Sequence, residues 1–385
     1  MKKLLYQKFI TDTLKIFTLI SLSIALIVWV IQAVNFLDFV TEDGHGFRVY
    51  FSYSLLNLPK ILHRVLPFAF FVSLFYQIYK YEERNELLIF WTNGVKKINF
   101  INILLLYSIL IVGFQIVLSA FVSPMGQNKA RNFLRNSNID FLPALVKEGK
   151  FIDTVSKLTI FIESKDELGN YKNIFLNDDT GEYKDCTATI KDCTKTQTIY
   201  AKRGRLINEA NNRYFELYDG RIINNDKDRS TNISFKKIDF NLSKYTSKST
   251  TYSKIQEIEN TLLYNCFNSY YGKSKKKFTS RKLTCEQSTI KSVQQELLKR
   301  FYQPIYLPLL ALICCLLIMK SKESSEYNKY KFLIFSLAFI VIIISEITLR
   351  YSSYNKIGFL FFLSFPILFF FLIYIPLIIK FKHRV

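Results

Sequence analysis

The chain has 385 residues, 50% of them hydrophobic and 16% aromatic, with a formal net charge of +21. The apolar residues are gathered into long charge-free runs near both ends, around a middle rich in Lys and Asn. That distribution excludes a soluble globular protein, whose core would have to hold six near-unbroken apolar helices, and points to a chain that crosses a membrane.

In chain order, hydropathy places six spans, at about Ile16–Val34, Leu58–Ile78, Ile98–Val122, Phe301–Met319, Phe332–Leu349 and Ile357–Ile379. Each is about long enough for a hydrocarbon core of roughly 30 Å. No small-residue cleavage site follows the first run, so it reads as a retained span. Lys2, Lys3 and Lys8 precede the first span, and Lys80, Arg84, Lys96 and Lys97 follow the second. Lys320, Lys322, Lys329 and Lys331 follow the fourth, and Lys380, Lys382 and Arg384 close the chain. The loop after the first span, NFLDFVTEDGHG, is acidic. The positive-inside rule then puts both termini in the cytoplasm and the long polar segment 123–300 outside.

Between the second and third spans lies YKYEERNELLIFWTNGVKK, Tyr79–Lys97. Its pattern predicts a cytoplasmic helix over about 80–93. Glu83, Glu86 and Leu87 fall on one side of it, with Phe90 and Trp91 a turn further on. Acidic residues suit its N-terminus and Gly94 is a natural stop. Two readings stand: a rigid knob for a partner protein, or a solvated helix that merely obeys the charge rule. In the second span, Lys60 and Arg64 are four apart and share a face near the external end, as Glu346 and Arg350 do in the fifth. Lys60 and Arg64 form either a rim for anionic headgroups or a pair that snorkels to ordinary lipid.

The external segment holds about 32 Lys+Arg against 21 Asp+Glu. From about Phe151 it reads as short strands, among them KLTIFIES, NIFLND, TIYAKRGRLI, RYFELYDGRII and TNISFKKIDFNL, separated by turn residues. A β-sandwich or jelly roll is expected. Alternation puts Ile160 with Ile162, and Phe215 with Leu217, on the inward side. Those residues make either a dry core or an interior able to hold acyl chains. A helical and basic connector follows over 256–300, with SKIQEIENTLLYNCF running into it, then GKSKKKFTSRK and SVQQELLKRF. Cys186, Cys193, Cys266 and Cys285 all fall outside, which suggests two disulfides, most simply Cys186–Cys193 and Cys266–Cys285.

Catalytic and metal signatures are not found. Three dispersed histidines (His45, His63, His383) and Cys-x6-Cys spacing give no metal site. The GKS at Gly272–Ser274 lacks the earlier glycine of a phosphate loop, since position 267 is Phe. The chain is expected to bind no cofactor and to draw its energy from a partner.

The order of elements resembles the lipopolysaccharide-export permease family LptF/LptG. The resemblance rests on Pro59 and Pro67 in LPKILHRVLP, the NELLIFWTNG stretch, the strand pair IYAKRGRLI and YFELYDGRI, the ISFKKIDFNL strand, and ELLKRFYQPIYLPLLAL before the fourth span. TLKIF and EGKFID…LTIFIES…YKNIFLND look closer to LptF than to LptG. The resemblance implies an α+β integral membrane protein of six transmembrane helices, three plus three, with a periplasmic β-jelly-roll domain between the third and fourth. Residues 1–122 hold helices 1–3, 123–255 the β domain with its connector, 256–300 the second connector, and 301–385 helices 4–6. It implies an inner-membrane permease subunit of a lipopolysaccharide exporter. The partners are an LptG-like permease, an LptB-like ATPase dimer that carries the ATP and Mg, and an LptC-like periplasmic bridge. It makes Glu83, Glu86, Leu87, Phe90 and Gly94 the ATPase-coupling stretch, and Lys60 and Arg64 a rim meeting lipid A phosphates. A rival is an FtsX/MacB-like subunit that transmits ATPase motion without carrying lipid; its usual four spans fit this chain less well.

Overall fold

The computed structural model describes residues 2–41, 46–136, 148–155, 158–166, 170–179, 196–209, 212–225, 230–242, 254–271, 279–280 and 283–382. The chain divides into two compact units, 1–32 with 55–130 and 253–385, and 33–54 with 131–252.

The first unit is helical. Its elements are α1 (Lys2–Phe36, whose last residues belong to the second unit), α3 (Leu58–Glu83), α4 (Glu86–Thr92) and α5 (Lys97–Val117). After the sheet come α7 (Asn260–Tyr271), α8 (Gln287–Phe301), α9 (Tyr306–Cys315), α10 (Tyr327–Tyr351) and α11 (Lys356–Lys382). The short α2 (Phe47–Leu56) and α6 (Ser123–Asn136) straddle the division between the units. Among the described residues, six stretches are long and apolar enough to cross a membrane: Lys2–Phe36, Phe47–Glu83, Lys97–Leu134, Thr289–Met319, Tyr327–Tyr351 and Lys356–Phe381. Their apolar residues are unequally covered. Every residue from Leu309 to Cys315 in α9 is buried, whereas Leu19, Leu22, Leu26 and Ile27 of α1 stand exposed. A helix that is apolar all round is solvated by lipid wherever protein does not cover it. Cys314 and Cys315 are packing residues inside α9.

The third span carries a local irregularity. Leu118–Val122 is a π-helical turn between α5 and α6. Such a turn takes one backbone carbonyl out of the ordinary ladder and leaves it open to other donors. Asn260 Nδ2 donates to the Ala120 carbonyl at 2.7 Å, and the Ser119 hydroxyl donates to the Arg300 carbonyl at 3.0 Å. The turn thereby joins the third span to the start of α7 and to the end of α8.

The second unit contains one antiparallel sheet of six strands in sequence order: β1 (Phe151–Val155), β2 (Leu158–Lys165), β3 (Asn170–Asp178), β4 (Thr196–Glu209), β5 (Asn212–Asn225) and β6 (Ser230–Asn241). The expected β domain stands between the third and fourth spans. Among the described residues its strands form a meander, each bonded to its sequence neighbour, and the crossovers of a jelly roll are not seen. One face is buried. Ile160, Ile162, Tyr171, Ile174, Ile199, Phe215, Leu217 and Phe240 share its core.

A crease crosses this sheet. Simple alternation would space the buried residues of a strand by even numbers. Here they step from Tyr171 to Ile174, from Ala201 to Gly204, and from Leu217 to Ile222. In β6 the half-buried Phe235 and Ile238 pack on the same core three residues apart. Asn173 and Asp219 take φ of +49° and +51° at these steps, a conformation uncommon for non-glycine residues within strands. Both flank Lys202 in one cross-strand row, so all four strands change phase together and the register is kept. Gly220 is required beside it. A Cβ there would lie 2.2 Å from the Tyr200 carbonyl oxygen and 2.4 Å from the Phe235 ring. Gly204 has a like role, leaving space for the Ile174 side chain and for the Phe215 ring, which stacks on Tyr171 at 5.4 Å.

Candidate functional site

The stretch between the second and third spans forms two helices rather than one. Helix α3 runs through Glu83, the chain turns at Arg84 and Asn85 (φ +59°), and α4 begins at Glu86. This corrects the expectation of a single helix over 80–93. Glu83 ends one helix and accepts the Tyr79 hydroxyl at 2.9 Å, while Glu86 opens the next. Leu87 and Phe90 are buried, 1% and 2% exposed, so they do not present themselves to a partner. They anchor α4 instead. Phe90 meets Tyr6, Phe9, Tyr81 and Phe100 with ring centroids 5.4–6.5 Å apart. The residues turned outward are Leu88 and Ile89.

The turns on either side of α4 are held. At its C-terminus the Val95 N–H donates to the Phe90 carbonyl and the Gly94 N–H to the Trp91 carbonyl, each at 3.0 Å. With Gly94 at φ +71°, this is a Schellman ending, closed by the apolar pair Val95 and Phe90. Lys2 Nζ donates to the Gly94 carbonyl at 3.0 Å, and Lys322 Nζ to the Glu83 carbonyl at 3.1 Å. Beside α4 lies a cleft of about 190 Å³, walled by Leu88 and Trp91 on one side and Lys320–Glu323 on the other. The Lys97 ammonium stands 5.4 Å from the Trp91 ring and 5.5 Å from that of Phe381.

A second constellation gathers charged groups from four places in the sequence. Arg300 is 1% exposed, and each of its three guanidinium nitrogens donates a hydrogen bond. It donates to Glu296 Oε1 (3.0 Å), the Ile258 carbonyl (2.9 Å), Asn260 Oδ1 (2.7 Å) and the Gln256 carbonyl (2.9 Å). A buried cation is tolerated only when its donors are satisfied in this way. Around it, Lys60 stands within electrostatic range of Arg64, Lys254 and Lys299, with Glu257 the opposing charge. Arg64 donates to Gln256 Oε1 at 3.4 Å, and Glu346 accepts from Gln303 Nε2 at 2.6 Å. The expected pair Lys60 and Arg64 is therefore two members of a larger cluster. Sequence spacing missed Lys254 and Lys299 because only the fold brings residues 60, 254 and 299 together. The Lys299–Arg300 doublet just before the fourth span was the available signal.

In the sheet, Ile160, Ile162, Phe215 and Leu217 share the buried face, each no more than 2% exposed. The structure brings them together in one buried cluster. Cys266 and Cys285 are joined in a disulfide with Cα atoms 5.8 Å apart, tying α7 to the start of α8. Cys186 and Cys193 lie outside the described residues, as does most of the basic loop from 272 to 282. No group of three or more potential metal ligands is found among the described residues.

Six apolar helical stretches, a meander between the third and fourth, and the Glu296–Arg300 hub near the start of the fourth make a specific combination. Residues 9–380 match the family model described as lipopolysaccharide export system permease LptF/LptG. The chain belongs to the LptF/LptG family. Its six long apolar helices fit the multi-pass inner-membrane architecture of that family. The chain is also similar to the uncharacterized protein RP871 of Rickettsia prowazekii (strain Madrid E), with 24% identity over 221 residues. That match covers 56% of this chain and 57% of the relative's own length.

Proposed function

We propose that this LptF/LptG chain is an LptF-type half of a permease heterodimer, driven by a separate cytoplasmic ATPase dimer that binds the ATP and Mg. Both termini and α4 face the cytoplasm in this reading, which rests on the lysines and arginines of the short loops. The sheet is periplasmic and hands lipopolysaccharide to an LptC-like bridge. The observation that carries the coupling role is the build of α4. Leu87 and Phe90 fix it to the helical core, its C-terminus is closed by the Gly94 turn, and Leu88 and Ile89 project beside a cleft. A rigid projection of this kind transmits displacement of a partner into α3 and α5 without being absorbed by a flexible loop. Glu86 is placed at the N-terminus of α4 for a charge-assisted contact with a cation on the ATPase.

At the other end, Lys60, Arg64 and Lys299 offer donors to the phosphates of lipid A. Arg300 is excluded from that task because it is 1% exposed and four of its five N–H donors are already used, and it acts as the fastener that holds Lys299 in place.

The test is reconstitution of the full chain with its co-purifying permease and ATPase in proteoliposomes. Leu88→Asp and Ile89→Asp, which disturb no buried contact, are expected to lower ATP-dependent lipid release at least tenfold, a loss in the range of an interface hot spot. Glu86→Lys should act in the same direction. Normal ATPase association and normal release in all three variants would overturn the coupling role.

A further inference from the structure

The outer face of the sheet carries a row of aromatic rings that its core does not use. Phe151 pairs with Phe161, Phe161 with Phe175, and Phe175 with Tyr200, one residue from each of β1 to β4 in direct cross-strand register. The row continues through Arg221 on β5 to Ser234 on β6. Ring centroids along it are 4.7 Å apart for Phe151–Phe161 and 5.1 Å for Phe175–Tyr200. Phe151 and Tyr200 are 67% and 48% exposed. Residues on the solvent face of a half-buried sheet are ordinarily polar, so a continuous apolar row there marks a surface that something covers.

The row borders a hollow of about 830 Å³ at the crease. Asn173, Lys202, Asp219, Arg221 and Ser234 stand around it with the rings. Its volume is that of a small-ligand site. The charges are not balanced. Asp219 is paired with Arg203 at 3.2 Å, whereas Lys202 and Arg221 have no ion-pair partner among the described residues. The hollow thus combines an aromatic floor, neutral hydrogen-bonding groups and two uncommitted cations.

We propose that this outer hollow binds a phosphorylated saccharide. A sugar ring has an apolar face of C–H bonds, carrying partial positive charge, which stacks on the electron-rich face of an aromatic ring. Its hydroxyls match Asn173, Asp219 and Ser234 at the rim, and an anionic substituent matches Lys202 and Arg221. An acyl chain fits less well, because it would lie against two desolvated cations without satisfying them. The proposal rests on the export reading for its source of ligand, the glycan part of lipopolysaccharide. It separates the two halves of that cargo: sugar on the outer aromatic row, distinct from the buried apolar face of the same sheet.

The test uses the full chain in lipid nanodiscs and calorimetric binding of three probes. These are a deacylated, phosphorylated lipopolysaccharide core oligosaccharide, the same oligosaccharide after phosphatase treatment, and lipid A without core sugars. The phosphorylated oligosaccharide is expected to bind best. Phe151→Ala and Tyr200→Ala, both on exposed side chains, should each weaken it roughly three- to tenfold. Lys202→Gln with Arg221→Gln should abolish the preference for the phosphorylated form. Unchanged affinity in the Phe151→Ala/Tyr200→Ala double variant overturns the proposal, and so does loss of lipid A binding alone. Whole lipopolysaccharide is run in parallel. If the wild-type chain fails to capture it while the oligosaccharide binds, the export reading falls and the saccharide site stands. If lipopolysaccharide is captured equally by the wild type and the row variants and the oligosaccharide does not bind, the site falls and the export reading stands.

Discussion

Two regions of this molecule expose apolar side chains, and the exposure has opposite meanings in each. On α1, Leu22, Leu26 and Ile27 stand 58–59% exposed along a helix that is apolar on every side. On the sheet, Phe151 and Tyr200 are exposed to a similar degree, but their strands place polar groups beside them and a full core behind them. The helix needs no protein cover, because lipid is its solvent and its backbone groups are satisfied internally. The sheet face has no such solvent in water, so its aromatic row requires a ligand or a partner. Exposure alone says little; the backbone that carries the side chain decides what must cover it.

Truncating one residue in each setting should have unequal effects. Leu217→Ala removes a fully buried side chain from the sheet core and is expected to destabilise that unit by about 2–5 kcal/mol. Leu26→Ala removes the same atoms from a lipid-facing position and should cost less than about 1 kcal/mol, since no cavity forms. Thermal unfolding of the full chain in nanodiscs, with hydrogen exchange resolving the β5 amides, measures both. Equal losses would mean that α1 is packed against protein on that side.

Two glycines sharpen the contrast at the next level. Gly220→Ala forces a Cβ into the Tyr200 carbonyl and the Phe235 ring, and should cost about 1–3 kcal/mol by overpacking. Gly113→Ala, in α5 with nothing within 4 Å of the new Cβ, should be neutral or stabilising by up to about 1 kcal/mol. The same assay reads both. A neutral Gly220→Ala would show that the crease is softer than its contacts imply.

The smallest effect concerns the polar groups on the outer face, on the far side of the crease from the aromatic row. Lys237 is paired with Glu216, which also accepts the Tyr218 hydroxyl at 2.6 Å. The hydrogen bond from Lys237, then that from Tyr218, holds the Glu216 carboxyl below its ordinary 4.5. Its contribution to stability is therefore present above pH 4.5 and lost as pH falls through the lowered value. The bond to Glu216 raises the Lys237 ammonium above 10.5, so its share is present below pH 10.5 and lost as pH rises through the raised value. Glu216→Gln should flatten both limbs of a pH–melting curve, by on the order of one degree, because the pair is solvated. A shift of ten degrees would mark the cluster as structural.

Much of the architecture follows from local pattern, because long apolar runs and short polar strands are properties of contiguous residues. The six spans, the β domain between the third and fourth, and the helix stop at Gly94 are read from neighbouring positions alone. The spacing of Glu83, Glu86 and Leu87 was legible too, but the face was wrong. Asn85 in the left-handed conformation ends one helix and rotates the next, and no periodicity reports a single residue's φ. The aromatic row was hidden for a related reason. Phe161, Phe175 and Tyr200 look like interior residues of separate strands until register sets them side by side on the open face.

Local sequence was enough to say what each segment is: which runs are long and apolar enough to cross lipid, and which short polar stretches are strands. Tertiary structure decided which residues share a site. It drew Lys60, Lys254 and Lys299 around a satisfied Arg300, and it stepped four strands together so that one face stays buried across the crease. The physical reason is range. Hydropathy and alternation act between near neighbours, whereas a buried guanidinium finds its acceptors, and a sheet its register, only when distant segments meet.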